Sequence, residues 1–113
     1  MTAKNTLTQA PPYPVEQAIK RLGTNLRTAR LRRNLTIEEV AAKIGTGPRA
    51  VSRAEQGKAT TSIAVYTALL WVYDLLEPAI DLADPAGDLE GLALVHRRER
   101  ARASASEELS NDF

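Results

Sequence analysis

The amino-acid sequence predicts an all-α fold, in which a compact five-helix domain (residues 15–83) lies between flexible N- and C-terminal tails. Apolar residues recur at intervals of three and four positions, which is the periodicity of a helix with one buried face. Residue types that begin and end helices stand at the boundaries of these segments. The turns between them are only three to five residues long, which favours a compact domain.

The composition excludes several classes of protein. The 113 residues suffice for one small domain with tails, and the absence of cysteine excludes a disulfide scaffold, thiolate metal sites and thiol catalysis. No phosphate loop, nucleophile elbow or histidine–carboxylate pair is present, so we expect no enzyme, metal or cofactor. No apolar stretch approaches the ~20 residues of a membrane span, and the N-terminus lacks the apolar run of a signal peptide. We therefore expect a cytoplasmic protein.

Charge is unevenly distributed, although the net charge is only +1. Residues 16–58 contain ten basic and four acidic side chains, whereas residues 59–95 contain six acidic side chains and no basic one. Residues 97–106 are again basic, and the chain ends in acidic residues. The first half therefore suits a polyanionic partner. Ordinary solvated helix faces are the alternative explanation.

The first part of the chain contains an arm and one long helix. The N-terminal arm (residues 1–14) ends in Ala10-Pro-Pro-Tyr-Pro, which predicts extended backbone because proline disfavours helix. A helix is predicted for residues 15–33, weakened at Gly23 and ended by Asn34-Leu35. Its apolar positions lie three or four apart: Val15, Ile19, Leu22, Leu26 and Ala29.

Two short helices follow. Thr36-Ile-Glu-Glu39 predicts a capping box, in which the Thr36 hydroxyl accepts from the Glu39 amide and the Glu39 carboxylate reaches back. Gly45 supplies the left-handed residue that ends this helix. The next helix is predicted from Pro48 to Glu55, because proline suits the first helical position. Gly57 ends it.

The fourth predicted helix has the strongest apolar pattern. It begins at the cap Thr60-Thr61-Ser62 and ends at Glu77-Pro78, and a short fifth helix is predicted for residues 78–83. Its apolar stripe comprises Ile63, Tyr66, Leu69, Leu70, Tyr73 and Leu76. We interpret Tyr66, Trp71 and Tyr73 as packing residues.

The C-terminal region (residues 84–113) is predicted to be a linker followed by a basic and then acidic tail. Residues 91–95 are too short to assign, and residues 97–113 lack a core-forming pattern, which predicts a flexible segment. The basic run from Arg97 to Arg102 has three interpretations: a second phosphate anchor, a segment that folds on a protein partner, or a solubilising tail. His96 stands among these arginines and is interpreted as a solvated residue.

The stretch from Thr36 to Lys58 is the most informative one. Its two helices meet across Gly45-Thr46-Gly47, a turn too short for an antiparallel hairpin, so they must cross steeply, as in a helix-turn-helix. Ala41 is the small residue where the two helices touch, and Val51 is the branched residue of the second helix that fills their contact. The second helix then projects from the surface and fits the DNA major groove, about 12 Å wide.

The sequence resembles the XRE family of phage-repressor/Cro-like helix-turn-helix regulators over residues 22–76. The matching strings are Arg27-Thr-Ala-Arg30, Thr36-Ile-Glu-Glu-Val-Ala41, Ile44-Gly45, Val51-Ser52 and Glu55-Gln-Gly-Lys58. The resemblance implies a repressor-like domain with Pro48 to Gln56 as recognition helix. It also implies a structural ion pair between Arg30 and Glu55.

Two departures from the family pattern shift the predicted base contacts. Pro48 stands where many relatives carry a polar reader, and it offers only apolar contact. Ile37 stands where relatives often place a phosphate-contacting glutamine. Base reading is therefore assigned to Arg49, Ser52 and Arg53, with Pro48 beside them, because positions three and four apart share one helix face. Arginine binds guanine O6 and N7 together; the alternative is that these arginines contact phosphate.

Phosphate contacts are predicted at the helix starts and at nearby cations: Thr36, Gly47, Lys43, Lys58, Arg27 and Arg33. One such module buries only ~600–1,000 Å² on DNA, so specific binding calls for two copies on a two-fold operator. A homodimer is therefore expected. Residues 75–95 are the predicted interface, with a lid over the core as the alternative.

The function predicted from these observations is a sequence-specific DNA-binding repressor. Among families with this motif, the chain is most similar to HipB-like antitoxins, which repress their own operon and bind HipA-like kinase toxins. A stand-alone phage or host repressor is the nearest alternative. A rival of another class is a helical protein-interaction module without DNA binding, which Pro48, Ile37 and the acidic second half would suit.

Overall fold

The computed structural model describes residues 5–111, with side chains through Leu109. This part of the chain is helical and contains no strand, which confirms the predicted all-α class. It divides into a first unit that ends at Ile80 and a second that begins at Asp81. The first four residues of the predicted arm and the last two of the predicted tail lie outside the described residues.

Six helices form the first unit. They are α1 (Thr6–Gln9), α2 (Tyr13–Arg32), α3 (Ile37–Ile44), α4 (Pro48–Glu55), α5 (Ile63–Val72) and α6 (Glu77–Ile80). Helices α2 to α6 correspond to the five predicted helices. The short helix α4 packs against α2, α3 and α5, so its position depends on three neighbours at once.

One apolar core holds these helices together. Its fully or nearly fully buried side chains are Leu26, Ala29, Val40, Ala41, Val51, Ala54, Tyr66, Leu69 and Tyr73. Both Val51 and Ala54 of α4 are 0% exposed, so the inner face of this helix is completely covered. Burial of apolar surface stabilises the domain by roughly 25 cal/mol per Å².

Helices α2 to α5 all end in the same local structure. A residue with positive φ follows each helix, namely Asn34, Gly45, Gly57 and Asp74. The residue after it donates its amide back to a carbonyl in the last helical turn, for example Thr46 N to Ala41 O at 2.9 Å and Leu75 N to Leu70 O at 2.8 Å. This is the Schellman motif, which satisfies carbonyl groups that a helix end leaves free.

The prediction of an extended arm over residues 1–14 is wrong for residues 6–9 and 13–14, whereas Ala10-Pro-Pro12 is not helical. Thr6–Gln9 is one helical turn, capped by the Asn5 side chain, which accepts from the Leu7 amide at 3.0 Å. Helix α2 begins at Tyr13, with Pro14 in its first turn. Proline breaks helices only in their interior, because the first-turn amides have no intrahelical acceptor to lose.

Helix α5 ends at Val72, before the predicted end at Glu77-Pro78. The reason is Asp74, which adopts a φ of 59° and closes the Schellman motif. The prediction that Ile63 and Trp71 pack in the core is also wrong, because these side chains are 78% and 61% exposed. Helix α5 is apolar on all sides, so the apolar pattern could not tell its inner face from its outer one.

The second unit consists of a 3₁₀ turn (Pro85–Gly87) and one long helix, α7 (Leu89–Asn111). The prediction of a flexible segment over residues 97–113 is therefore wrong for residues 97–111, and the unassigned residues 91–95 belong to the same helix. The Asp88 carboxylate accepts from the Gly91 amide at 3.0 Å and so caps the start of α7. Alanine, leucine, arginine and glutamate dominate the sequence that follows, and these residues favour helix without any core-forming pattern.

Candidate nucleic-acid interface

The helix-turn-helix consists of α3, the turn Gly45-Thr46-Gly47 and α4. The predicted capping box at its start is confirmed: Thr36 Oγ1 accepts from Glu39 N at 3.1 Å, and Glu39 Oε1 accepts from Thr36 N at 3.3 Å. Gly45, with a φ of 78°, ends α3. Pro48 then begins α4, as the sequence predicts. The turn is fixed at both ends by local interactions.

An ion pair between Arg30 and Glu55 joins α2 to the end of α4. The guanidinium donates Nε to Oε2 at 2.7 Å and Nη2 to Oε1 at 3.0 Å, and its Nη1 donates to the Leu35 carbonyl at 3.0 Å. Both side chains are nearly buried. The hydrogen bond to Glu55 raises the pKa of Arg30 further above its ordinary value. A two-point contact of this kind restricts rotation of α4 on its scaffold.

Two glycines allow α2 and the end of α4 to approach closely. A Cβ on Gly23 would lie 2.6 Å from the Ala54 carbonyl oxygen and 2.7 Å from that of Glu55. A Cβ on Gly57 would lie 2.6 Å from the Lys20 Cα. Backbone atoms cannot move aside as a flexible side chain can, so both positions require glycine. Sequence reasoning treated Gly23 only as a weak point of the helix.

The outer face of α4 is open. Pro48, Arg49 and Arg53 are exposed, and Ser52 between them is half-buried. The Ser52 hydroxyl accepts a hydrogen bond from Gln56 Nε2 at 3.2 Å. Neither arginine points into the core, because the inner face is filled by Val51 and Ala54. The residues assigned to base reading therefore lie together on one exposed surface, which we call the reading face (Pro48, Arg49, Ser52 and Arg53).

The residues assigned to phosphate contacts have different surroundings. Lys43, Lys58 and Arg27 are exposed on α3, after α4 and on α2, respectively. Gly47 is exposed and precedes α4, whose first turn receives no side-chain cap. Thr36 differs, because its amide and hydroxyl are both used in the capping box.

Ile37 is half-buried and packs against the core. Its side chain serves packing at the position where relatives often place a glutamine.

Arg33 has a role that sequence reasoning missed. Its Nη1 donates to the Ala29 carbonyl and its Nη2 to the Tyr73 carbonyl, each at 2.9 Å. Its guanidinium carbon also lies 5.4 Å from the centre of the Tyr73 ring. Arg33 thereby joins the C-terminal ends of α2 and α5. No signal in the sequence indicates this contact, because the residues are 40 positions apart.

Two tyrosines, Tyr66 and Tyr73, are buried in the apolar core. Burial raises the pKa of both Tyr66 and Tyr73. The Tyr66 hydroxyl donates to the Lys58 carbonyl at 3.2 Å, so it fixes the backbone from which the Lys58 side chain extends. The Tyr73 hydroxyl is buried without a hydrogen-bond partner among the described residues.

Residues 5–111 contain one histidine, His96, and no cysteine. Within this range, no three histidine or carboxylate side chains come together as metal ligands, and His96 is exposed on α7. None of the helices that the structure describes has both the length and the apolar character needed to cross a bilayer.

Comparison with known proteins identifies the domain. A family profile described as a helix-turn-helix domain matches residues 21–83, which is more than half of the chain and includes α3, α4 and α5. A domain of this kind indicates a DNA-binding regulator. No curated protein and no solved structure matches the chain significantly.

Proposed function

The chain belongs to the helix-turn-helix domain family, and we propose that it is a sequence-specific transcriptional repressor that reads its operator with α4. The observation that carries the proposal is the open reading face, on a helix whose opposite side is fully buried. The ion pair between Arg30 and Glu55 supports it further, because base reading requires a recognition helix held at a fixed angle.

Chemistry divides the contacts of the proposed complex into two classes. Arg49 and Arg53 read guanine, because their planar guanidinium groups donate to O6 and N7 together. Ser52 adds one hydrogen bond to a base edge, and Pro48 contacts a thymine methyl group. Gly47, Thr36 and the cations Arg27, Arg33, Lys43 and Lys58 attract phosphates, which set the register of the protein on the duplex. For Thr36 and Arg33 this role competes with the intramolecular hydrogen bonds described above.

The repressor acts as a homodimer in this proposal. One module covers too little DNA for useful specificity, whereas two copies bind half-sites about one helical turn apart. Occupation of such an operator excludes the polymerase. The proposal requires no cofactor.

Selection of a binding site from random duplexes tests the proposal directly. The full chain is expected to enrich a two-fold symmetric sequence, and its affinity should fall steeply with salt as phosphate contacts release counterions. Arg49→Ala is expected to relax specificity at one base pair per half-site, whereas Lys58→Ala weakens all duplexes alike.

Arg32→Ala is the matched control, since Arg32 lies in a surface depression with Asn25, Thr28 and Leu75 and away from α4. No enrichment and no salt dependence would contradict the proposal. That result would favour a helical module that binds only protein.

The narrower hypothesis is that this repressor is an antitoxin that binds a HipA-like kinase and represses the operon of both proteins. It rests on the resemblance to HipB-like antitoxins in size and helical pattern, and a stand-alone phage or host repressor is the alternative. A kinase-like reading frame next to the gene, and a stable complex of the two coexpressed proteins, would support the antitoxin role. Absence of both leaves the repressor proposal intact and excludes the antitoxin.

A further inference from the structure

Helix α7 carries apolar side chains that no other described residue of the second unit covers. Every residue from 89 to 109 is exposed, apart from Gly91, which is half-buried. Its first two turns contain Leu89, Leu92, Ala93, Leu94 and Val95, which we call the apolar block. Leu89 and Leu92 are 73% and 51% exposed. Exposed apolar side chains grouped in this way mark an interaction site in a soluble protein.

Opposite charges flank the apolar block. Four acidic residues and no basic one precede or enter it, namely Asp81, Asp84, Asp88 and Glu90. Four arginines with a single acidic residue follow it, namely Arg97, Arg98, Arg100 and Arg102 around Glu99. We call these segments the acidic block (residues 81–90) and the basic block (residues 97–102). Their centres lie at similar distances along the chain from the apolar block.

We propose that α7 pairs with α7 of a second copy of this chain, antiparallel and crossing at the apolar block. A two-fold axis through the block brings the acidic block of each copy beside the basic block of the other, so the attraction occurs twice. Parallel pairing would instead place like charges side by side. The order acidic, apolar, basic thus makes this surface complementary to itself.

A second copy is the occupant that this pattern fits. A different partner would have to present basic, apolar and acidic segments in the matching order. A second copy presents them in that order when its α7 runs in the opposite direction. Helix α7 is also long enough, because 23 residues extend over about 35 Å. A helix without a packed face gains most of its stability from such a partner.

This inference deepens the proposed function, since it locates the contact of the dimer on which operator binding rests. The tests below use the full chain without DNA, so they are independent of operator recognition. A dimer built on α7 that selects no duplex contradicts only the proposed function. Operator binding by a dimer that does not use α7 contradicts only this inference.

Crosslinking reports the direction of the pair, because the chain contains no cysteine of its own. Ala93→Cys places a thiol at the crossing, and a short bismaleimide should join two copies efficiently. Ala105→Cys places it about 18 Å farther along α7, so two such thiols are about 36 Å apart in an antiparallel pair and should not be joined. Efficient crosslinking of Ala105→Cys, or none of Ala93→Cys, would overturn the antiparallel arrangement.

Sedimentation equilibrium measures the contribution of each surface. Leu92→Asp is expected to weaken the dimer at least about tenfold. The near-UV circular dichroism of Trp71 and the tyrosines, which all lie in the first unit, should stay unchanged. Trp71→Asp is the matched control, because Trp71 is also an exposed apolar residue but lies on α5. A chain that is monomeric at all concentrations, or a dimer broken by Trp71→Asp and not by Leu92→Asp, overturns the inference.

Charge reversal provides a second test that leaves the apolar block intact. The double change Arg97→Glu and Arg98→Glu should weaken the dimer, because both ends of the pair then face like charges. Adding Asp81→Lys and Glu90→Lys to the same chain should restore it, and both changes leave the Asp88 cap of α7 in place. If the fourfold variant dimerises no better than the double variant, charge complementarity does not hold this pair together.

Discussion

Arg30 and Glu55 lie 25 positions apart in the sequence, yet their side chains meet through two hydrogen bonds of 2.7 and 3.0 Å. One residue belongs to the long helix α2 and the other to the last turn of α4. The contact therefore connects the scaffold to the helix that carries the reading face. It also explains how a helix of only eight residues keeps a defined orientation.

Removal of the Glu55 charge is expected to be strongly destabilising. Glu55→Gln leaves the nearly buried Arg30 guanidinium without its counter-charge, which costs about 3–5 kcal/mol of unfolding free energy. Urea denaturation measures this loss. The paired change Arg30→Met and Glu55→Leu should recover most of it, because neither charge then remains buried. A loss below about 1 kcal/mol for Glu55→Gln would show that the ion pair does not hold α4 against α2.

Gly23→Ala is expected to destabilise the domain although alanine favours helix. In a helix interior this change normally gains about 1 kcal/mol. Here the new methyl group would stand 2.6 Å from the Ala54 carbonyl oxygen, so α2 and α4 must separate. Thermal unfolding of Gly23→Ala and of the control Gly87→Ala, where no atom lies within 4 Å, checks the expectation. Equal melting temperatures for the two variants would contradict it.

The helix-turn-helix was predictable because its signals are local. The capping box of Thr36, the stop at Gly45 and the start at Pro48 each depend on residues within one turn, and the boundaries of α3 and α4 agree with the prediction. The end of α5 was not predictable from the sequence, because Asp74 adopts a left-handed conformation that glycine adopts far more readily than aspartate. Helix α7 was not predicted, because its sequence lacks the core-forming apolar pattern that identified the other helices.

Contacts between distant residues were the least predictable part of the site. Arg33 belongs to a basic run and was assigned to phosphate. In the structure, two of its nitrogens donate hydrogen bonds to carbonyl groups at the C-terminal ends of α2 and α5. The pair of Arg30 and Glu55 was expected only through a family resemblance. Exposure of Trp71 could not be predicted, because α5 is apolar on every side and only its packing decides which face is covered.

The two buried tyrosines should respond differently to the same substitution. Tyr66→Phe removes the hydrogen bond to the Lys58 carbonyl and is expected to cost about 0.5–1.5 kcal/mol. Tyr73→Phe removes a buried hydroxyl that has no partner among the described residues, so stability should stay unchanged or rise. Urea unfolding of both variants at neutral pH provides the comparison. A larger loss for Tyr73→Phe than for Tyr66→Phe would contradict the assignment.

Alkaline pH should weaken the domain through the same two residues. Burial raises the pKa of Tyr66 and Tyr73 in the folded protein above the ordinary value of 10.0, so the unfolded chain loses these protons first. The stability that comes from burying the neutral hydroxyls is therefore complete below about pH 10 and is lost as pH rises through the folded pKa values. Urea unfolding midpoints are measured at intervals of about one pH unit between about pH 8 and pH 11. Over this range the midpoint should fall less for Tyr73→Phe, which lacks one of the two buried hydroxyls, than for the control Tyr13→Phe at an exposed site. Parallel curves would contradict this prediction.

The central claim is that DNA contacts the outer face of α4, and amide chemical-shift mapping tests it most directly. Titration of the labelled protein with its selected duplex should shift the amides of Gly47 and residues 49–58 most strongly, together with the guanidinium signals of Arg49 and Arg53. The Arg30 guanidinium, held by Glu55, should keep its free-state signal. Shifts confined to the second unit, with residues 47–58 unchanged, would contradict the claim.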